Sequence, residues 1–452
     1  MPIQSINPVN NELVKSFTEM TPSEVDRRLS LGHSAFLRHR SDPIDERARS
    51  MRRAADILVK RKNDLARLMT MEMGKPLSAA VAEAEKSATA CVYYAENAAR
   101  FLADQKVKVE DGEAWIAFQP IGIVLAVMPW NFPFWQVFRF AAPSLMAGNA
   151  GILKHASNVP QCALAIESVF REAGFAEGLF QTLLLPASGV DALIADTRIA
   201  AVTLTGSDGA GRAVAAAAGK NLKKCVVELG GSDPFVVMPS ADVSLAAETA
   251  VTARMINNGQ SCIAAKRFII HESVHAEFLE KFVDGVNRLK VGDPLDSSVQ
   301  VGPLATRQGV DNLEKQVDAT VAAGAKVLVG GKRIPGTGNF FQPTVLTDVH
   351  ESTPGYTDEL FGPVASVFKA RDIDDAIRIA NSTRFGLGAS VWTNDASERE
   401  KFVGQVESGL LFINGMVASD ARLPFGGVKD SGFGRELGEF GIHEFVNVKT
   451  VR

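Results

Sequence analysis

A chain of 452 residues exceeds what one ordinary hydrophobic core holds, so two large domains are expected. Hydrophobic residues make up 46% and charged residues 22%, with 38 glycines, which argues against disorder and fits a soluble α/β protein. The net charge is −4 and no long run of lysine and arginine occurs, which argues against nucleic acid as a partner.

The opening "MPIQSINPVNNELVKSF" has no basic region followed by an apolar stretch. The longest apolar run, "IGIVLAVMPW", falls short of a membrane span, so no membrane contact and a cytoplasmic location are expected. Apolar positions at three- and four-residue spacing predict helices over 22–40, 44–73 and 77–104. Residues 107–119, "VKVEDGEAWIAFQ", alternate across Asp111-Gly112 and predict a β-hairpin. Further on, short runs such as "GILKH", "TLLLP", "AVTLT", "CVVEL", "FVVMP", "RFIIH", "KVLVG" and "LLFIN" alternate with helical stretches. That pattern indicates βαβ units and parallel sheets, hence two doubly wound domains. The C-terminal "EFVNVKTVR" alternates like the hairpin. Edges of this kind are usually covered, either by another subunit or within the chain, and an oligomer is expected.

The four cysteines are widely spaced, so neither a disulfide framework nor a zinc site is signalled. Cys91, Cys162 and Cys225 sit in apolar patterns. Only Cys262, in "NNGQSCIAAKR", lies in a polar turn, with no histidine nearby to take its proton. "HESVH" at 271–275 matches the H-E-x-x-H zinc signature only formally. His271 ends a strand run and Ser273 looks like the N-cap of the next helix, which puts the two rings on different elements, and no metal is expected. "GSDGAGRA" at 206–213 lacks the Lys-Ser/Thr of a P-loop, and no G-x-G-x-x-G follows a strand. Thr205-Gly206-Ser207 nevertheless follows "AVTLT" and opens a helix, so its N–H groups face a pyrophosphate, or Ser207 is a plain N-cap. Glu228 ends the strand of "VVELGGSDP" where two glycines open a crevice. It is either a buried base of raised pKa or a solvated rim carboxylate. Asn131, in "MPWNFPFWQ", stands near a helix start as a cap or as an oxyanion donor.

These segments together resemble the NAD(P)-dependent aldehyde dehydrogenase superfamily over essentially the whole chain. The family's motifs are present as "VELGGSDP", "NNGQSC", "PWNFP", "TGS", "DELFGPV" (358–364) and "FGGVKDSGFGRE" (425–436), in its order and spacing. The resemblance implies that Cys262 attacks an aldehyde, with Glu228 as the base and the Asn131 amide and Cys262 N–H holding the oxyanion. A thioester on Cys262 is then hydrolysed by water that Glu228 activates. It also implies a cofactor site in which Trp130, Thr205, Gly206 and Ser207 lie by the pyrophosphate, Lys154 by the adenine ribose, Glu359 on the nicotinamide ribose and Phe361 against the ring, with Leu229 a further cofactor contact. Many NAD-preferring members carry glutamate three residues after that lysine. Ser157 stands there instead, so NADP is expected to be preferred, with NAD possible.

The family's fold implies a cofactor domain (1–106 and 120–229), a catalytic domain (230–430) and an oligomerisation arm (107–119 and 431–452), in a homodimer or homotetramer. Arg139 is a lone cation in the apolar "NFPFWQVFRFAAPSL", spaced by fours from Asn131 and Trp135, which suits either a carboxylate-bearing substrate or a structural ion pair. Within the superfamily the chain looks most like the bacterial succinate-semialdehyde dehydrogenases. That likeness makes Arg139 and Ser419 candidates for the distal carboxylate, with Phe425 beside them. Another small aldehyde, such as glutarate semialdehyde or glycolaldehyde, is an alternative, and a catalytically silent dinucleotide-binding protein is a further one. CoA-acylating and acyl-phosphate relatives share the cysteine but not the hydrolytic glutamate.

Overall fold

A computed structural model describes residues 3–452. Two largely parallel sheets organise it. In the first, the strands run in the order Gly432–Phe433, Lys224–Glu228, Ile199–Thr205, Ile123–Met128, Ala150–His155 and Phe180–Thr182, and only Gly432–Phe433 is antiparallel. Ile123–Met128 and Ala150–His155 are buried almost throughout, as strands covered by helices on both faces must be. The chain leaves Ile123–Met128 outward through Ala150–His155, then returns to Ile199–Thr205 on the other side. That reversal opens a crevice at the carboxyl ends of the strands. Residues 129–134 and Thr205-Gly206-Ser207 both emerge there.

The second sheet runs Lys326–Val329, Thr344–Thr347, Val364–Ala370, Arg267–His271, Pro234–Val237, Gly388–Trp392 and Leu410–Ile413. The expected α/β class and two doubly wound sheets are what is found. The helices fall at Pro22–His39, Ile44–Lys60, Lys62–Met73 and Leu77–Phe101, so the stretch expected as one helix over 44–73 breaks at Arg61. The strand expected in "TLLLP" ends at Thr182, although Leu183 still donates to the Leu153 carbonyl at 2.8 Å. Gly388–Trp392, "GASVW", has no β-branched alternation to announce it. It is held by burial and by Ser390, which donates to the Gly415 carbonyl and accepts from the Trp392 indole.

The hairpin pairs Gln105–Val107 with Ala114–Pro120 through a six-residue connection rather than a two-residue Asp-Gly turn. Val446–Val451 completes a three-stranded sheet on Ala114–Pro120, so one of the edges foreseen as open is closed within the chain. Gly432–Phe433, assigned by sequence to the same arm, instead joins the first sheet beside Glu228. Among the described residues no helix is long and apolar enough to cross a membrane.

Candidate active site

Three consecutive left-handed residues shape the turn before Cys262: Asn257 (φ 56°), Asn258 (φ 59°) and Gly259 (φ 75°). Asparagine tolerates this region and glycine is at home in it. At Gly259 a side chain would also strike the Gly362 carbonyl. The asparagines answer the buried backbone: Asn258 donates to the Gly74 and Pro303 carbonyls, and Asn257 donates to those of Asn131 (2.8 Å) and Gln260 (3.0 Å). Asn131 Nδ2 donates to the Gln260 carbonyl at 3.2 Å, which leaves its second N–H free to donate. The asparagine and the cysteine turn are therefore one assembly.

Asn131 is not the cap of the following helix, which begins only at Trp135. Glu83 performs that task across the fold, accepting from the Phe134 and Trp135 N–H groups at 2.9 and 3.0 Å. Glu83 also pairs with Lys75, and both are fully buried. Glu83→Gln keeps an acceptor oxygen but strands the Lys75 charge, and we expect it to cost about 3–5 kcal/mol. The urea midpoint should fall accordingly, and the double variant Lys75→Met/Glu83→Gln should recover part of the loss.

Cys262 is half-buried in the wall of a 230 Å³ cavity that Trp135, Arg139, Ser419 and Phe425 also line. This is smaller than the roughly 300–1,000 Å³ typical of sites for drug-sized ligands, and suits a short aldehyde. Burial pushes the thiol up to about 12, opposed by the nearby charges of Lys266 and Arg139. Lys266 was not singled out from sequence. Its ammonium donates to the Ser261 and Cys262 carbonyls at 2.7 and 2.6 Å and pairs with Glu359 at 3.3 Å. The pair Lys266-Arg267, four residues after the cysteine and between apolar stretches, was the available signal.

Glu228 is buried, and neither carboxylate oxygen finds a hydrogen-bond partner in the protein. Burial, with the Glu436 charge adding to it, raises its carboxyl well above the ordinary range, against the pull of Arg139. The rim reading therefore fails and the buried one holds. Gly426 packs against Glu228, and a Cβ there would fall 2.7 Å from its Oε1. The neighbouring Gly231 faces the Cys262 carbonyl just as closely. Burial disfavours the charged forms of both the thiol and the carboxyl, so the Cys262 proton leaves as the substrate is attacked rather than beforehand, and only the ionised form of Glu228 can receive it.

Arg139 lies on the helix face that sequence spacing indicated, but it is already engaged. It is ion-paired with Glu436, donates to Thr205 Oγ1 at 3.2 Å and stacks 4.5 Å from the Phe425 ring. The structural ion pair, one of the two readings open in sequence, is present. Glu436 answers the Arg139 charge, while the Arg139 side chain still lines the cavity.

On the cofactor side, Ser207 caps its helix, accepting from Ala210 N–H at 3.3 Å, and remains exposed at the crevice with Gly206 beside it. Leu229 packs against Gly211, where any side chain would collide with it. The Trp130 and Phe361 rings meet edge to face at 5.7 Å. Glu359 Oε1 accepts from Gly231 N–H at 3.2 Å, and Gly230 leaves room for its other oxygen. Lys154 is buried at the end of its strand, and burial alone lowers its pKa, with no charged neighbour contributing. A buried, unanswered lysine three residues before Ser157 fits an anionic ribose phosphate. His271 ends its strand and His275 begins the next helix, on separate elements as the sequence suggested. Ser273 is not the helix cap, since Val274 holds that position and Ser273 hydrogen-bonds the His271 ring.

A cysteine in a cavity wall, an amide donor built into its turn and a buried carboxyl, in a fold with a dinucleotide-type crevice, suit one class of enzyme. The chain belongs to the aldehyde dehydrogenase family, whose model matches residues 1–451. It is 55% identical to the "Succinate-semialdehyde dehydrogenase [NADP(+)]" of Mycobacterium avium (strain 104), over 100% of this chain and 96% of that one. It is 53% identical to "Succinate-semialdehyde dehydrogenase [NADP(+)] 1" of Mycobacterium tuberculosis (strain ATCC 25618 / H37Rv), over 100% and 99%. Among solved structures it resembles succinic semialdehyde dehydrogenase from Streptococcus pyogenes in complex with NADP+, with a TM-score of 0.97 and 34% identity, covering 100% of this chain and 99% of that one.

Proposed function

We propose that the protein oxidises succinate semialdehyde to succinate with NADP as the hydride acceptor, through a thioester on Cys262. One observation carries the chemistry: Cys262 opens into a small cavity while the Asn131 amide is built into its turn and an unpartnered Glu228 lies behind. The substrate and cofactor are supported by the names of relatives that match over the whole chain.

Cys262 Sγ adds to the aldehyde carbon, its proton passes to Glu228, and the new alkoxide receives the free N–H of Asn131 and the Cys262 N–H. Each such donor typically contributes about 3 kcal/mol. The bound nicotinamide supplies the acceptor for the hydride that the tetrahedral carbon releases. Glu228 releases that proton to solvent, then takes a proton from water as that water attacks the thioester and passes it to the departing sulfur, freeing the acid and the thiol. Trp130, Thr205, Gly206, Ser207, Leu229, Glu359 and Phe361 hold the cofactor in this reading, with Lys154 and Ser157 at its 2′-phosphate.

The same reading divides the chain into a cofactor domain around the first sheet, a catalytic domain around the second, and an arm of hairpin and tail. The exposed Gln105–Val107 edge and the outward Val448 support assembly through that arm into a homodimer or homotetramer.

The test is absorbance of reduced nicotinamide across succinate semialdehyde, glutarate semialdehyde, glycolaldehyde and butanal, with both cofactors. Turnover of all four at equal efficiency would overturn the substrate assignment, and turnover of none would overturn the activity. Ser157→Glu should lower kcat/KM with NADP at least tenfold while sparing NAD, because a carboxylate repels the 2′-phosphate. An unchanged ratio of the two would remove Ser157 from the cofactor site.

A further inference from the structure

Lys266 is buried immediately before the strand Arg267–His271. An ammonium has three N–H bonds, and three oxygens meet this one: the Ser261 carbonyl at 2.7 Å, the Cys262 carbonyl at 2.6 Å and Glu359 Oε1 at 3.3 Å. The two carbonyl contacts are short, as charge-assisted bonds are. Its backbone is pinned too, the N–H donating to the Asp233 carbonyl at 3.0 Å. The other charged groups facing it are Arg254, on the helix Val243–Met255, and Asp233, just before the strand Pro234–Val237. Arg254 donates to the Ala265 and Gly259 carbonyls, and Asp233 accepts from the Gly388 N–H, so both hold the flanks of the turn. Lys266 is what joins Cys262 to Glu359. Gly230 and Gly231 let the three pack as one unit, since a Cβ on Gly230 would strike Glu359 and one on Gly231 would strike the Cys262 carbonyl.

We propose that Lys266 is a positioning residue that clamps the Cys262 backbone to Glu359, so that one buried charge governs both the reactivity of the thiol and the grip on the nicotinamide ribose. The proposal rests on the reading of Cys262 as the nucleophile and of Glu359 as a ribose contact. Burial opposes ionisation of the thiol, Lys266 leads the charges that act against that burial, ahead of Arg139, and Glu359 and Asp233 work the other way. Burial likewise raises the Glu359 carboxyl, and Lys266 is the foremost charge drawing it down. An ionised Glu359 accepts from ribose hydroxyls more strongly than a protonated one. With the ammonium gone, the thiolate and the carboxylate both lose their nearest support.

The experiment needs no turnover. It measures the rate of Cys262 alkylation by iodoacetamide at pH 8, read by peptide mass, and the affinities for NADP and for adenosine 2′,5′-bisphosphate, which lacks the nicotinamide ribose, by calorimetry. Lys266→Met should be alkylated roughly tenfold more slowly than wild type, the loss of about one pH unit of thiol acidity. It should bind NADP several-fold more weakly and adenosine 2′,5′-bisphosphate as wild type does. Lys266→Arg keeps the charge and should stay within a few-fold of wild type throughout. Lys266→Gln keeps N–H donors for the turn without the charge and should follow Lys266→Met, which also supplies the readout if the methionine variant fails to fold. A neutral variant whose thiol reacts as fast as wild type or faster, an unchanged affinity for NADP, or an equal loss for both nucleotides would overturn the proposal. Alkylation and NADP binding that depend on Lys266 in a protein that oxidises no aldehyde would uphold the clamp while removing the dehydrogenase reading.

Discussion

Cys262→Ala should lower turnover by roughly 10⁴-fold or more while leaving the fold and the cofactor affinity close to wild type. A free aldehyde cannot release hydride from its trigonal carbon, and in this site only sulfur makes that carbon tetrahedral. The turn that carries the thiol is held by Asn257, Asn258, Gly259 and Lys266, none of which uses the Cys262 side chain, so truncating it should not collapse the loop. Stopped-flow absorbance should show neither a burst nor a steady phase. Residual turnover within a hundredfold of wild type would mean that the hydride leaves by a route without a covalent intermediate.

Glu228→Gln should separate the two halves of the reaction. Glu228 serves both halves, so the first equivalent of reduced nicotinamide should form more slowly, and hydrolysis of the thioester, whose base usually contributes roughly 10²–10⁴-fold, should then stall. Intact mass should find the acyl group on the protein. Because burial raises the Glu228 carboxyl, the base form is present only above that elevated pKa. Steady-state turnover of the wild type should therefore fall as pH drops through a value well above the ordinary carboxylate range, and this limb should vanish in Glu228→Gln. A variant that turns over steadily without a burst would show that another group activates the water.

The class of fold and the principal chemistry were legible in the sequence because both reside in local signals. Strand-turn transitions at Glu228 and Thr205 and a polar turn at Cys262 are visible from spacing and residue type, while the roles of these residues stayed open there and were supplied by the family resemblance. What the sequence concealed depends on distant partners. Arg139 is a lone cation in its segment, and nothing within that segment discloses that Glu436, nearly three hundred positions later, answers it. Lys86 reads as one solvated lysine in an alanine-rich helix until the fold places Ser419 against it. Asn131 and Glu83 show the same effect from the other side. A helix start invites a local cap, yet the acceptor comes from another helix and leaves the asparagine to the cysteine turn. The short strand Gly432–Phe433 was assigned to the arm because glycine-rich text carries no period.

That strand has a further meaning. Glu228 is packed by Gly426 and Gly432, about two hundred positions further along the chain. Until that distant segment docks, its carboxyl would face water and lack the elevation that burial gives it. The raised acidity constant of Glu228 is therefore a property of long-range folding and would be lost in a chain cut before position 425.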